Sequence, residues 1–209
     1  AYTANQPAHF VVDDDYRRRK GVIEGMNLWL GGQLESARRY LTLMQGPRFN
    51  GSGLFPELAF YDCHSCHHPM DEIRWNEQRA AAGIQPGTVR LQTHNLIVLQ
   101  AVAETFQPGD KDELQKLTHA LLRAGEAQRV TAGEASRDLL DWLAPREALV
   151  MRSYMPNDIR RMRQALIRYA ANDQAGDYAT AEQVVLALES LSYSLGDRDE
   201  HKQALDALY

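Results

Sequence analysis

Apolar residues recur along this chain at the spacing of helices. Ile23, Met26, Leu30, Leu34, Ala37, Leu41 and Met44 follow one another every three or four positions, which lines one face of a helix. The run predicts a long helix that starts at Asp13, Asp14 and Asp15, whose charges suit the positive end of the helix dipole. Gly46-Pro47 ends it. Gly21, Gly25, Gly31 and Gly32 fall inside the helix or at its start, and each weakens it by up to about 1 kcal/mol. Close packing of another helix is the expected reason for them, and close approach of a flat cofactor the alternative.

Residues 45–62 carry Gly46, Pro47, Gly51, Gly53 and Pro56 and predict a loop with one short turn. Helices are predicted over 71–82 and over 88–106, the second with Leu91, His94, Val98 and Val102 on one stripe. Pro108-Gly109 breaks the pattern. Weaker helical patterns cover 110–130 and 133–153. Pro156-Asn157-Asp158 opens a helix with Ile159, Met162, Leu166 and Tyr169 inward. A last long helix turns Tyr178, Ala181, Val185, Leu188, Leu191 and Leu195 inward, and a short amphipathic tail follows. No stretch alternates with the period of a strand. The expected fold class is all-α, an antiparallel helix bundle with short Pro/Gly turns.

Composition narrows the picture. No run in the 209 residues approaches the roughly 20 consecutive apolar residues of a membrane span. A net charge of -5 excludes a generally basic nucleic-acid binder. The charge is uneven: residues 1–100 hold 10 Lys/Arg and 10 Asp/Glu, and the remainder 13 and 18. Residues 1–12 have neither a basic start nor an apolar core, so the chain is expected to be a mature form after cleavage, or a piece of something longer.

The two cysteines, Cys63 and Cys66, are too few and too close for a disulfide framework. His67 follows at once, and Cys63-His64-Ser65-Cys66-His67 is the C-x-x-C-H attachment signature of a c-type haem. The two thiols add to the two porphyrin vinyl groups, and the next residue places its imidazole under the iron. Cys63 and Cys66 are therefore the expected covalent anchors and His67 the proximal iron ligand. A zinc site built on Cys63, Cys66, His67 and His68 is disfavoured, because structural zinc takes its second ligand pair from a distant element. A thioredoxin-like pair needs a βαβ context that the pattern lacks. The expected bundle thus encloses one haem c per chain. Residues 1–108 form a haem-binding part, and an acidic helical region, 109–209, packs on it as a second part or as one continuous domain. Haem attachment of this kind is completed outside the bacterial cytoplasm, so a periplasmic or extracellular location is expected.

The ligand opposite His67 sets potential and function. His68 and Met70 lie on the proximal side, since one segment cannot reach both faces of the porphyrin, and they are expected to shape that side. His94 shares the inward stripe with Leu91, Val98 and Val102. His9 stands in an extended arm, Gln6-Pro7-Ala8-His9-Phe10, that could fold over the haem. His119 falls on the polar side of Leu114, Leu117 and Leu121 and is expected to be solvated, and His201 sits in the charged tail. His9 and His94 remain the two distal candidates. Phe60, Tyr61 and Trp75 are expected to shield the haem.

The stretch Leu54-Phe55-Pro56-Glu57-Leu58-Ala59-Phe60-Tyr61-Asp62, running into the haem motif and His68-Pro69-Met70, resembles the C-terminal region of bacterial multihaem cytochromes c of the cytochrome c554-like type. Pro7-Ala8-His9-Phe10 is similar to a Pro-x-His-aromatic element that precedes a long helix there, and residues 87–106 and 176–191 fit the same pattern. The resemblance implies an electron carrier rather than an enzyme, with an all-helical haem domain and bis-histidine iron. It favours His9 as a ligand, to this haem or to one on another chain. Those relatives carry further haem motifs upstream, whereas this chain has one, which implies a separated C-terminal portion or a subunit whose redox partner bears the other haems. Two other roles follow from the residues. One is a five-coordinate haem for gas binding, sensing or peroxidatic chemistry. The other is a docking role for the acidic helices, through an apolar face on 156–195.

Overall fold

The computed structural model of the chain describes residues 13–20, 25–50, 58–62, 89–127, 129–172, 178–197 and 200. Among these residues the fold is all-helical, with no strand. Helices α1 (Asp14–Lys20) and α2 (Gly25–Met44) occupy the predicted long helix, and a short helix α3 (Pro47–Asn50) supplies the turn expected after Gly46. Then come α4 (His94–Ala103), α5 (Asp110–Ala127), α6 (Arg129–Leu143), a 3-10 segment (Ala144–Met151), α7 (Pro156–Ala171) and α8 (Tyr178–Leu195). The predicted helix over 71–82 and residues 201–209 of the C-terminal tail lie outside the described residues, as does Ile23. No helix among the described residues is long and apolar enough to cross a membrane.

Helix α2 is the axis of the packing. It contacts α4, α6, α8 and the 3-10 segment, while α4 contacts α5, α7 and α8 as well. Met26, Trp29, Leu30, Leu41 and Met44 are fully buried on it, each side chain contributing about 1.5–3 kcal/mol of hydrophobic stabilisation. The buried cluster continues without interruption into Leu114 and Leu121 of α5, Leu139 of α6, Met162 and Leu166 of α7 and Leu191 of α8. One core therefore draws on both sides of residue 108. Asn27 of α2 donates from Nδ2 to the carbonyls of Val150 and Arg152 at 2.6 and 2.8 Å. Gly31 lies under Val150, where an added Cβ would come within 3.1 Å of that side chain. Close packing, the expected role of the glycines, operates at this position.

Three expectations are corrected. The predicted helix over 88–106 starts only at His94, because residues 90–92 form an extended pairing with 60–62 instead. The helix predicted over 133–153 starts at Arg129 and ends at Leu143. Pro145 follows, and its ring and missing N–H turn the chain into 3-10 geometry. In α8 the buried stripe is Thr180, Val184, Ala187 and Leu191, whereas Tyr178 and Ala181 are exposed. Hydroxyls decide that rotation. Ser194 Oγ accepts from the Met26 N–H at 2.9 Å, and Ser190 Oγ donates to the Gly25 carbonyl at 3.1 Å. Small polar residues thereby face α2 where bulkier apolar ones were expected.

The acidic region is closed by one buried ion pair. Asp110, 1% exposed, opens α5 and holds the Arg146 guanidinium, with Nε 3.0 Å from Oδ2. The same guanidinium lies 3.6 Å from the Trp142 ring centroid and donates to the Trp142 carbonyl. Breaking such a pair strands a charge in low dielectric. Asp110→Ala is expected to lower unfolding stability by about 3 kcal/mol, measured by chemical denaturation, and Asp110→Leu combined with Arg146→Met is expected to recover part of that loss.

Candidate haem site

The C-x-x-C-H segment is entered through a short, tightly held stretch of chain. A 3-10 turn (Leu58–Phe60) places Phe60 in the core, edge-on to Phe49 at 5.0 Å and tilted against Tyr40 at 5.8 Å between ring centroids. Tyr61 then pairs with Leu91 as an antiparallel bridge. The Asp62 N–H donates to the Arg90 carbonyl at 2.8 Å, and the Gln92 N–H donates to the Phe60 carbonyl at 3.0 Å. These two bonds flank the Tyr61–Leu91 pair, so it is of the closely spaced kind, with Cα atoms about 4.5 Å apart. Gln92 Nε2 adds a third bond, to the Tyr61 carbonyl at 3.0 Å. Tyr40 of α2 donates its phenol to the Phe60 carbonyl at 2.8 Å. Burial pushes that phenol's pKa well above its ordinary value, so it remains a donor.

Both candidate ligand segments leave this bridge. Cys63 follows Asp62 directly, and His94 comes two residues after Gln92 as the first residue of α4. Because the pairing is antiparallel, they leave at opposite ends. Two residues one way and three the other span at most about 17 Å of extended chain.

His94 is half-buried at the start of α4 and lines a cavity of about 170 Å3 with Ser36, Ala37, Tyr40, Gln92, Thr93 and Asn95. Its Nε2 is 3.2 Å from Asn95 Nδ2. His94 therefore does not share a helical stripe with Leu91, as the pattern predicted: Leu91 belongs to the bridge, and His94 faces the cavity instead. His94 brings a single imidazole to this cavity, and no group of three or more His, Cys, Asp or Glu side chains among the described residues is placed to hold a metal ion. The cavity alone is smaller than the ~300–1,000 Å3 of small-molecule pockets, so a macrocycle needs further residues. Cys63, Cys66, His67, His68, Met70, Trp75, His9 and His201 lie outside the described residues. Phe60 is 4% exposed and is committed to the core, while Tyr61 is half-buried.

No protein-family model matches the chain, no curated protein matches it significantly, and no solved structure matches it significantly.

A second concavity, about 650 Å3, runs along α2 between Asn27, Gly31, Gly32, Glu35, Arg38, Leu143 and Glu147. Hydrogen bonds from Arg38 and then Arg39 hold the Glu35 carboxyl down at about 2. This groove presents paired charges and no imidazole or thiol, so it offers iron no nitrogen or sulfur ligand. The residues that pattern reading missed are Tyr40 and Gln92. Tyr40 falls on the buried arc of α2, and its hydroxyl at the end of an apolar stripe was the available signal.

His119 on α5 corrects another expectation. It is half-buried rather than solvated, and its pKa is lowered by burial first and then by Arg123 and Arg90. A depressed native pKa means that the unfolded chain binds the proton first as pH falls. Stability held above about pH 6.5, the ordinary histidine value, is then lost as pH drops towards the lowered native value. Between pH 8 and pH 5.5 the wild-type denaturation midpoint is expected to fall further than that of His119→Gln; equal falls would contradict this.

Proposed function

We propose that the chain is an electron-transferring c-type cytochrome that carries one covalent haem. Cys63 and Cys66 anchor it, His67 is the proximal ligand and His94 the opposite one. The observation that carries this reading is the bridge at Tyr61–Leu91, which ties the entry of the C-x-x-C-H motif to the segment leading into His94. The haem supplies the one-electron chemistry. The chain's own residues bind it, set the donors around the iron and limit water around it. His9 is the other distal candidate, supported by the resemblance to cytochrome c554-like proteins. The same resemblance supports a redox partner bearing further haems and a place outside the bacterial cytoplasm. The acidic helices supply packing for α2 and α4, and so support the site from behind.

A second reading, a five-coordinate haem for gas binding, sensing or peroxidatic chemistry, draws on one contact. An imidazole whose Nε2 stays with Asn95 is not on iron through that atom.

The test is a visible and EPR spectrum of the haem-loaded protein, with and without CO. Wild type is expected to be low-spin and insensitive to CO. His94→Ala is expected to turn high-spin in the ferric state and to bind CO when reduced, while His9→Ala keeps the wild-type spectrum. A low-spin His94→Ala protein would remove His94 as the ligand, and a high-spin wild type would favour the five-coordinate reading.

A further inference from the structure

We propose that Met155 is a site of reversible oxidation, at which the sulfoxide caps helix α7 more strongly than the thioether does. Among the described residues two methionines are exposed, Met151 at 82% and Met155 at 67%, whereas Met26, Met44 and Met162 are buried in the core. An oxidant in solution reaches the first two and not the last three. Met155 is set apart by its place in the chain, as the N-cap of α7. Its N–H donates to Asp158 Oδ2 at 3.2 Å, and its carbonyl accepts from the Asp158 and Ile159 N–H groups. Its side chain is turned towards the Asp158 N–H as the other half of a capping box, yet no side-chain hydrogen bond caps the turn. An N-cap is ordinarily Ser, Thr, Asp or Asn, whose side-chain oxygen accepts from the first turn. Met155 offers only sulfur there, which is a weak acceptor.

Oxidation changes the acceptor. With hydrogen peroxide, the sulfur lone pair forms an S–O bond as the O–O bond breaks. The proton on the transferred oxygen passes to the departing hydroxide, which leaves as water. Sulfur is oxidised and the peroxide is reduced. The thioether becomes a polar sulfoxide, whose oxygen stands at the positive end of the helix dipole. Arg161, paired with Asp158 at 2.7 Å, adds positive charge to the same turn. Oxidation of a buried methionine disrupts the core around it. Met155 gives up no packed surface, so the gain at the cap is not offset.

The folded full chain is treated with hydrogen peroxide beside its Met155→Leu and Met151→Leu variants. Both substitutions replace an exposed side chain, so both proteins are expected to fold. Peptide mass mapping reads the oxygen gained at each methionine, and the urea midpoint is measured before treatment, after it, and after a methionine sulfoxide reductase. Met151 and Met155 are expected to gain oxygen while Met26, Met44 and Met162 do not. The change in midpoint on treatment is expected to be more positive for wild type and Met151→Leu than for Met155→Leu, and the reductase is expected to reverse that difference. A Met155 that stays unoxidised in the folded wild type overturns the proposal. So does a change in midpoint that is equal in wild type and Met155→Leu, or more negative in wild type, and so does a difference that the reductase leaves in place.

Discussion

The Phe60 carbonyl is the point from which the candidate site hangs. It accepts one hydrogen bond from Tyr40 of α2 and one from Gln92, just before α4. Two long-range parts of the chain are thereby joined at one oxygen, in a region where the Phe60 ring is itself packed into the core. A buried carbonyl left without donors would cost about 1–3 kcal/mol, so the arrangement is held by penalty as well as by attraction. The cysteine motif begins one residue after Asp62, which is buried and bonded to Arg90. The chain is thus fixed in place as far as Asp62, one residue before Cys63.

The rest of the fold makes that oxygen immobile. Helix α2 is gripped along its length: Gly25 and Met26 by the α8 hydroxyls, Asn27 by the 3-10 segment, and Gln45 by α6, where its Nε2 donates to the Gly133 carbonyl at 2.8 Å. Helix α5 backs the bridge from the other side. An added Cβ at Gly125 would come within 2.6 Å of Leu91 Cδ1, so the absence of a side chain there lets Leu91 seat at 2% exposure. The acidic helices thus belong to the same packed body as α2 and α4. Their buried ion pair, Asp110 with Arg146, is a local closure of α5 onto the 3-10 segment.

Helical spacing was readable wherever a helix buries large apolar residues along one face. Residues 26–44 and 156–171 show this, and their buried positions match the pattern closely. Spacing misled where packing is made by small or hydroxylated residues. Ser190 and Ser194 turned α8 to a face that apolar counting does not select. It also misled at residues 89–93, where the extended pairing with 60–62 overrode a pattern that reads as helix. Long-range pairing of that sort leaves no local mark. The C-x-x-C-H spacing is legible in the sequence as a candidate haem-attachment motif, and Cys63, Cys66 and His67 themselves lie outside the described residues. The bond of Tyr40 to Phe60 was not legible, since it depends on which carbonyl the fold brings to its hydroxyl. His119 was misassigned because its half-burial depends on tertiary packing that helical spacing does not show.

The proposed covalent haem at Cys63 and Cys66 is read from the intact mass of the protein matured with a c-type haem attachment system and sprayed under denaturing conditions. One haem added to the polypeptide mass is the expected result. A bare polypeptide mass, or haem that is lost on unfolding, would rule out thioether attachment.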